Sequence, residues 1–199
     1  MSYSLKNKLD KLKAVFDTLE IDETELEQDN EKAILQEQIA RGLMPRYYGA
    51  TFDNFIADTP YKKNIVSEIQ KAWGKNILIT GRYGTGKTHL AMCLLKSGAT
   101  YKRLQDIFRD IKNDFNSEGR IIKKLSSVKL LVIDEIGRQK FSDFEKNILF
   151  EIIDGRYNNV LYTTLITNLS VQEFSNEYGT AIMDRLKPTV LDFNWESRR

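Results

Sequence analysis

Residues 81–88 run Gly81-Arg82-Tyr83-Gly84-Thr85-Gly86-Lys87-Thr88 and fit G-x-x-x-x-G-K-[ST] at every fixed position. Such a loop cradles phosphate. Backbone N–H groups and a following helix N-terminus point at the β- and γ-phosphates of a nucleoside triphosphate, the lysine reaches between them, and the last hydroxyl takes one position on Mg²⁺. Lys87 and Thr88 are expected in those two roles, and His89 completes the segment 81–89 read here as nucleotide-binding, with its ring packing the helix start. A second constellation, Lys129-Leu130-Leu131-Val132-Ile133-Asp134-Glu135, is an apolar run that delivers two carboxylates. Asp134 is expected to join Thr88 in the Mg²⁺ shell, and Glu135 to orient and deprotonate an attacking water, so the pair points to hydrolysis in addition to binding. A third run, Leu161–Thr167, ends in Asn168, a polar group placed to hold the same water.

These residues need strands behind them. Ile77-Leu78-Ile79-Thr80 leads into the glycine loop, and His89–Leu95 continues from it as a helix. Unbroken apolar runs of this length are the mark of parallel strands buried on both faces, and ligands of open α/β sheets sit at the carboxyl edge of such strands. The remaining segments alternate accordingly. A helix is predicted over 61–73, a strand over 99–103, helices over 104–115 and 143–153, a helix opened by the capping box Ser170-x-x-Glu173, and a last strand over 190–193. Right-handed connections then give an α/β fold with a parallel five-stranded sheet between helices. No helical lid is expected after the last strand.

The N-terminal segment differs. Leu5, Leu9, Leu12, Phe16 and Leu19 form a heptad-like seam and predict a helix over 4–20. A weaker helix over 24–41 should end at Gly42 and the nearby Pro45. Two domains are therefore expected, 1–44 helical and 45–199 carrying all the nucleotide motifs. The seam either closes on the second helix or is kept for a partner.

Gly84–Ala91, Leu131–Gly137, Ile166-Thr167-Asn168, Met183-Asp184-Arg185-Leu186 and Phe193-Asn194-Trp195-Glu196-Ser197 occur in the order seen in the DnaC-type helicase loaders, and Thr51-Phe52-Asp53-Asn54-Phe55 matches the segment that opens their ATPase domain. The chain resembles a short member of that group, of cellular or phage type, over about residues 45–199. The IstB transposition helpers share most of these motifs. The resemblance implies an AAA+ ATPase using ATP and Mg²⁺, a DnaB-type replicative helicase gripped by the N-terminal helices, single-stranded DNA as second partner, and homo-oligomers with ATP sites between subunits. It also implies that Arg185 is an arginine finger for the next protomer; Ala181 stands where some relatives carry another arginine. Arg156 is a weaker interface candidate. Similar loaders line their central channel at the positions of Lys112, Phe115, Ser142 and Phe144, where a cation for phosphate and an aromatic for base stacking give a sequence-tolerant grip on single strands.

Composition is compatible with these expectations. The 199 residues carry a net charge of +2. Residues 1–16 have four Lys against one Asp, residues 17–37 have nine acids against one Lys, and the excess of positive charge lies in the ATPase part. No run of about 18 apolar residues exists, Met1-Ser2-Tyr3 leads into a charged segment, and the single Cys93 excludes a disulfide framework, so a cytoplasmic protein is expected. Alternatives to a helicase loader are a transposition helper on duplex DNA and a nucleotide-gated adaptor with little turnover.

Overall fold

The computed structural model describes residues 23–137 and 142–197. The chain divides between Glu37 and Gln38 into two units. The leucine seam of residues 5–19 lies outside the described residues. Helix α1 (Glu23–Ala40) runs through the point of division. It stops because Gly42 takes φ 111°, with Gly42 N–H donating to Ile39 O and Leu43 N–H to Gln38 O, both at 2.9 Å. This left-handed cap satisfies the last carbonyls, and glycine adopts it at no steric cost.

The second unit is built on five parallel strands, β1 (Ile77–Gly81), β2 (Thr100–Arg103), β3 (Leu130–Ile136), β4 (Tyr162–Thr167) and β5 (Thr189–Phe193), in the order β2-β3-β4-β1-β5. Central position explains composition. Ile77, Leu78, Ile79 and Thr80 are all buried, as a strand with neighbours on both edges and helices on both faces requires. Leu78, Leu131, Ile133 and Leu165 share one core with helices α4 (Leu104–Asn113), α5 (Glu118–Leu125), α6 (Asp143–Asn158), α7 (Val171–Tyr178) and α8 (Thr180–Leu186). Their alternates Ile77, Ile79, Val132 and Ile166 are equally buried and face the other layer, where α3 (Lys87–Lys96) is buried along Leu90–Leu95 and packs beside α2 (Pro60–Gln70).

This order places the chemistry. β4 lies between β3 and β1, so Asn168 after β4 falls between the acids of β3 and the glycine loop after β1. The chain leaves β1 toward one edge of the sheet and returns to add β5 on its other side. β1 is thus the point where connections diverge, which is where an open sheet offers a crevice.

Several expectations shift. The helix predicted over 61–73 ends at Gln70 and continues as a 3₁₀ turn, Ala72–Gly74. The helix begun at Asp143 extends to Asn158. α5 and α8 were not expected: α5 has only Leu125 fully buried in a lysine-rich stretch, and α8 is seven residues long.

Arg156 is corrected. It is 1% exposed, inside the core, where Nε donates to Thr163 Oγ1 (2.8 Å), Nη1 to Leu125 O (2.7 Å) and Val128 O (2.8 Å), and Nη2 to Tyr162 O. Burial pushes its guanidinium down to about 10. It ties α5, α6 and β4 together and is no interface residue. Arg156→Leu should strand those carbonyls at a cost of about 3 kcal/mol or more, lowering the melting temperature by on the order of 10 °C. Thermal denaturation checks this, and a shift within about 2 °C would mean that other donors replace the guanidinium.

Candidate nucleotide site

The glycine loop is shaped by what surrounds it. Gly81, Gly84 and Gly86 have φ of 124°, 78° and 95°. A side-chain carbon on Gly86 would stand 2.6 Å from Phe55 Cε2, and one on Gly81 would stand 2.5 Å from Phe193 O. Both positions combine left-handed backbone with close approach, so only glycine fits without displacement. The loop is braced from behind: Trp195 Nε1 donates to Thr85 O (3.1 Å), its ring lies tilted against Phe193 with centroids 4.6 Å apart, and Lys62 Nζ lies 5.3 Å from the Trp195 ring centroid. Thr85 is itself buried and donates from Oγ1 to Arg82 O (2.9 Å).

Lys87 reaches back across the loop, donating from Nζ to Gly81 O and Arg82 O, each at 2.6 Å. His89 behaves as a packing residue: Nε2 lies 3.0 Å from Thr51 O, with Phe55 and Tyr47 at ring distances of 5.8 and 6.5 Å. It fixes the segment 47–55 against the start of α3. Thr51 and Asn54 cap each other reciprocally, and Asn54 Nδ2 donates to Gly49 O (2.7 Å).

The acid pair depends on an irregularity. In a regular strand Asp134 and Glu135 would face opposite sides. Here the pairing of β3 with β4 shifts between Ile133 and Ile136, and Glu135 takes φ 61°. The bulge turns both carboxylates into one cleft. Thr167 closes it, donating from Oγ1 to Ile136 O (2.7 Å), and Gly137 at φ 86° passes where a side chain would meet Leu169.

Asp134 is 3% exposed. Its Oδ2 accepts from Thr88 Oγ1 (2.8 Å) and Tyr101 OH (3.0 Å), and its Oδ1 from Glu135 N–H (2.6 Å). Burial pushes its carboxyl above the ordinary range, the Glu135 charge adds to this, and the three neutral donors oppose it without prevailing. A cation beside it would reverse that balance. Among the described residues no three acids, histidines or cysteines gather as a metal cage. Thr88 and Asp134 offer one hydroxyl and one carboxylate, a hard-oxygen pair that suits Mg²⁺ when phosphates and water fill the other positions.

Thus Tyr83, Gly84, Thr85, Gly86, Lys87, Thr88, His89, Asp134, Glu135 and Asn168 line a single cleft of about 720 Å³. Gly81 and Arg82 lie at its base through their carbonyl bonds to Lys87. The opposite wall is Arg46, Tyr47, Gly49, Ala50 and Asn54. Sequence reasoning assigned these wall residues no role, nor Tyr101 and Trp195. Thr51–Phe55 and Phe193–Ser197 stood out as strings, but no side-chain pattern announced where they pack.

Arg185 stands apart from its own cleft. On α8 it pairs through Nε with Asp154, donates from Nη1 to Ala181 O (3.3 Å) and covers the Phe150 ring at 4.5 Å. The structure joins Lys112 and Ser142 through Glu145. Lys112 Nζ pairs with Glu145 Oε1 at 2.8 Å, and the same carboxylate takes Ser142 N–H (2.9 Å) and Oγ (3.1 Å) in a capping box that opens α6. Burial raises the Glu145 carboxyl, but Lys112 and Ser142 outweigh it and hold the group below its ordinary value. Ser142-x-x-Glu145 is the pattern already used at Ser170, and it makes Ser142 a helix cap. Phe144 is 41% exposed. Phe115 belongs to a 3₁₀ turn, Phe115–Ser117.

The family described as IstB-like ATP binding protein matches residues 62–199. The replicative helicase loader DnaC of Escherichia coli (strain K12) is 32% identical over 194 residues, covering 87% of this chain and 79% of that protein. The protein of the same name from Buchnera aphidicola subsp. Baizongia pistaciae is 32% identical over 178 residues, covering 79% and 72%. A crystal structure of the DnaC helicase loader superposes with a TM-score of 0.65 over 75% of this chain and 99% of that one, at 24% identity.

Proposed function

The chain belongs to the IstB/DnaC family of ATP-binding P-loop proteins, and from that premise we propose that it is an ATP-hydrolysing helicase loader that places a replicative helicase on single-stranded DNA. The observation that carries this reading is the convergence of Lys87, Thr88, Asp134, Glu135 and Asn168 on one cleft through three adjacent strand ends. Loop N–H groups and Lys87 would bind the phosphates once Lys87 exchanges its loop carbonyls for them. Thr88 and Asp134 would hold Mg²⁺, which when bound neutralises charge on the β- and γ-phosphates. Glu135 would take the proton of the attacking water, and Asn168 would hold that water in line.

Arg185 is proposed to serve a neighbouring copy, because it lies outside its own cleft, on α8 beside Asp154 and Phe150. The N-terminal region, residues 1–44, is proposed as the helicase contact. Leu43 and Ala50 are buried in the second unit, so a clean truncation cuts after Glu37 and keeps the segment from Gln38 onward.

Lys112, Phe115, Ser142 and Phe144 are proposed to line the strand channel, with Ser142 acting by capping the helix that carries Phe144. Single-stranded DNA should bind in preference to duplex in the presence of ATP. Phe144→Ala should weaken it roughly tenfold or more, the size of one lost base–aromatic stack, and Lys112→Ala should also flatten its salt dependence. Fluorescence anisotropy with labelled oligonucleotides across a salt series checks both. A duplex preference would favour a transposition helper.

A further inference from the structure

Tyr101 is the residue that the nucleotide motifs leave unused. It sits on β2 opposite Val132, which makes Asp134 its diagonal neighbour on the same face of β3. It is 4% exposed, and its hydroxyl meets Asp134 Oδ2 at 3.0 Å. A carboxylate offers about four acceptor directions. On Asp134 the hydroxyls of Thr88 and Tyr101 take both directions of Oδ2, and the Glu135 N–H takes one of Oδ1. One direction on Oδ1 is left, and Asp134 lines the cleft. With the hydroxyl of Tyr101 removed, Oδ2 keeps only Thr88, a residue that must itself turn toward a cation, and the carboxylate gains freedom to rotate.

Tyr101 is in turn held in place. Its N–H donates to Arg41 O (2.9 Å), and Gly42 passes so close that a side-chain carbon there would stand 2.4 Å from Tyr101 O and 3.3 Å from its ring. The backbone that follows α1 thus straps β2 beside the acid strand.

We propose that Tyr101 is a positioning residue that locks the Asp134 carboxylate into the one orientation able to receive the divalent cation of a bound nucleotide. This rests on the reading of Asp134 as a cation ligand. Removing the hydroxyl should therefore leave phosphate binding by the loop intact and raise the demand for metal.

The test is Mg²⁺ titration of fluorescent ATP-analogue binding to the full chain, compared with the same binding in EDTA, for the native protein, Tyr101→Phe, Asp134→Asn and the double variant. Tyr101→Phe keeps the ring and its packing. It should melt close to the native temperature, bind the analogue in EDTA as the native chain does, and need about tenfold more Mg²⁺ for half-maximal enhancement, the scale of one hydrogen bond to a charged group. In the double variant the Tyr101 change should add nothing to Asp134→Asn, since both act through one carboxylate. If Asp134→Asn leaves the Mg²⁺ requirement unchanged, the ligand reading of Asp134 fails. If Asp134→Asn raises it while Tyr101→Phe does not, or if the two effects simply add, Tyr101 has no positioning role.

Discussion

Lys87→Ala should abolish measurable ATP binding, whereas Glu135→Gln should bind ATP as the native chain does and lose hydrolysis by about 10²- to 10⁴-fold, the range expected when a general base is removed. The two losses separate because the groups act on different atoms. Lys87 carries the charge-assisted contacts to the phosphates, and hydrogen bonds of that kind are worth roughly 1.5–3 kcal/mol each. Its removal also frees the carbonyls of Gly81 and Arg82 that it now joins, so the loop loses a brace as well as a ligand. Glu135 is assigned to the attacking water and not to the phosphates. Its left-handed backbone at φ 61° is set by the bulge, and glutamine fits that backbone equally well. Calorimetric titration with a non-hydrolysable analogue and phosphate release under saturating ATP measure the two effects. Hydrolysis by Glu135→Gln at the native rate would remove Glu135 from the role of base and turn attention to Asn168.

Arg185→Ala should lower hydrolysis by orders of magnitude, about 10³-fold for a fully engaged finger, and mixing it with Lys87→Ala should restore part of the activity. Each variant supplies what the other lacks: Arg185→Ala keeps an intact cleft, and Lys87→Ala keeps an intact arginine to donate to it. The position of Arg185 on α8, paired with Asp154, makes a contribution to its own cleft geometrically remote. Native hydrolysis should accordingly rise more than linearly with protein concentration. The mixture is read by phosphate release at several ratios, with circular dichroism and sedimentation confirming that both variants fold and associate. No recovery at any ratio would assign Arg185 to the Asp154 pair and the Phe150 ring alone, as a structural residue.

The strings that line the cleft were legible in the sequence because each is a local pattern. A glycine loop before a helix, an apolar strand ending in acids and a strand ending in Asn168 need no tertiary information to be read, and they fall where β1, β3 and β4 end. What was not legible depends on residues distant in sequence. Nothing in Thr100–Arg103 says that Tyr101 will reach Asp134, since that contact exists only once β2 lies beside β3. Arg156 misled for a similar reason: an arginine near a helix end reads as surface, and only the fold supplies the carbonyls of Leu125, Val128 and Tyr162 that allow its burial. Ser142 is readable as a cap from Glu145 three residues on, a local pattern independent of the channel role that the resemblance implies. The bulge at Glu135 left no mark except Gly137, which accommodates the turn that follows.

On the function proposed above, nucleotide held in this cleft governs delivery of a helicase to single-stranded DNA. The most direct measurement is the amount of replicative helicase from the same host that becomes stably linked to circular single-stranded DNA, scored by gel filtration with the full chain, residues 38–199 or Lys87→Ala, each with and without ATP. Only the full chain with ATP should raise the linked fraction; residues 38–199 should still bind ATP but load nothing, and Lys87→Ala should fail with or without nucleotide. Loading by residues 38–199 at the level of the full chain, or loading by Lys87→Ala, would contradict it.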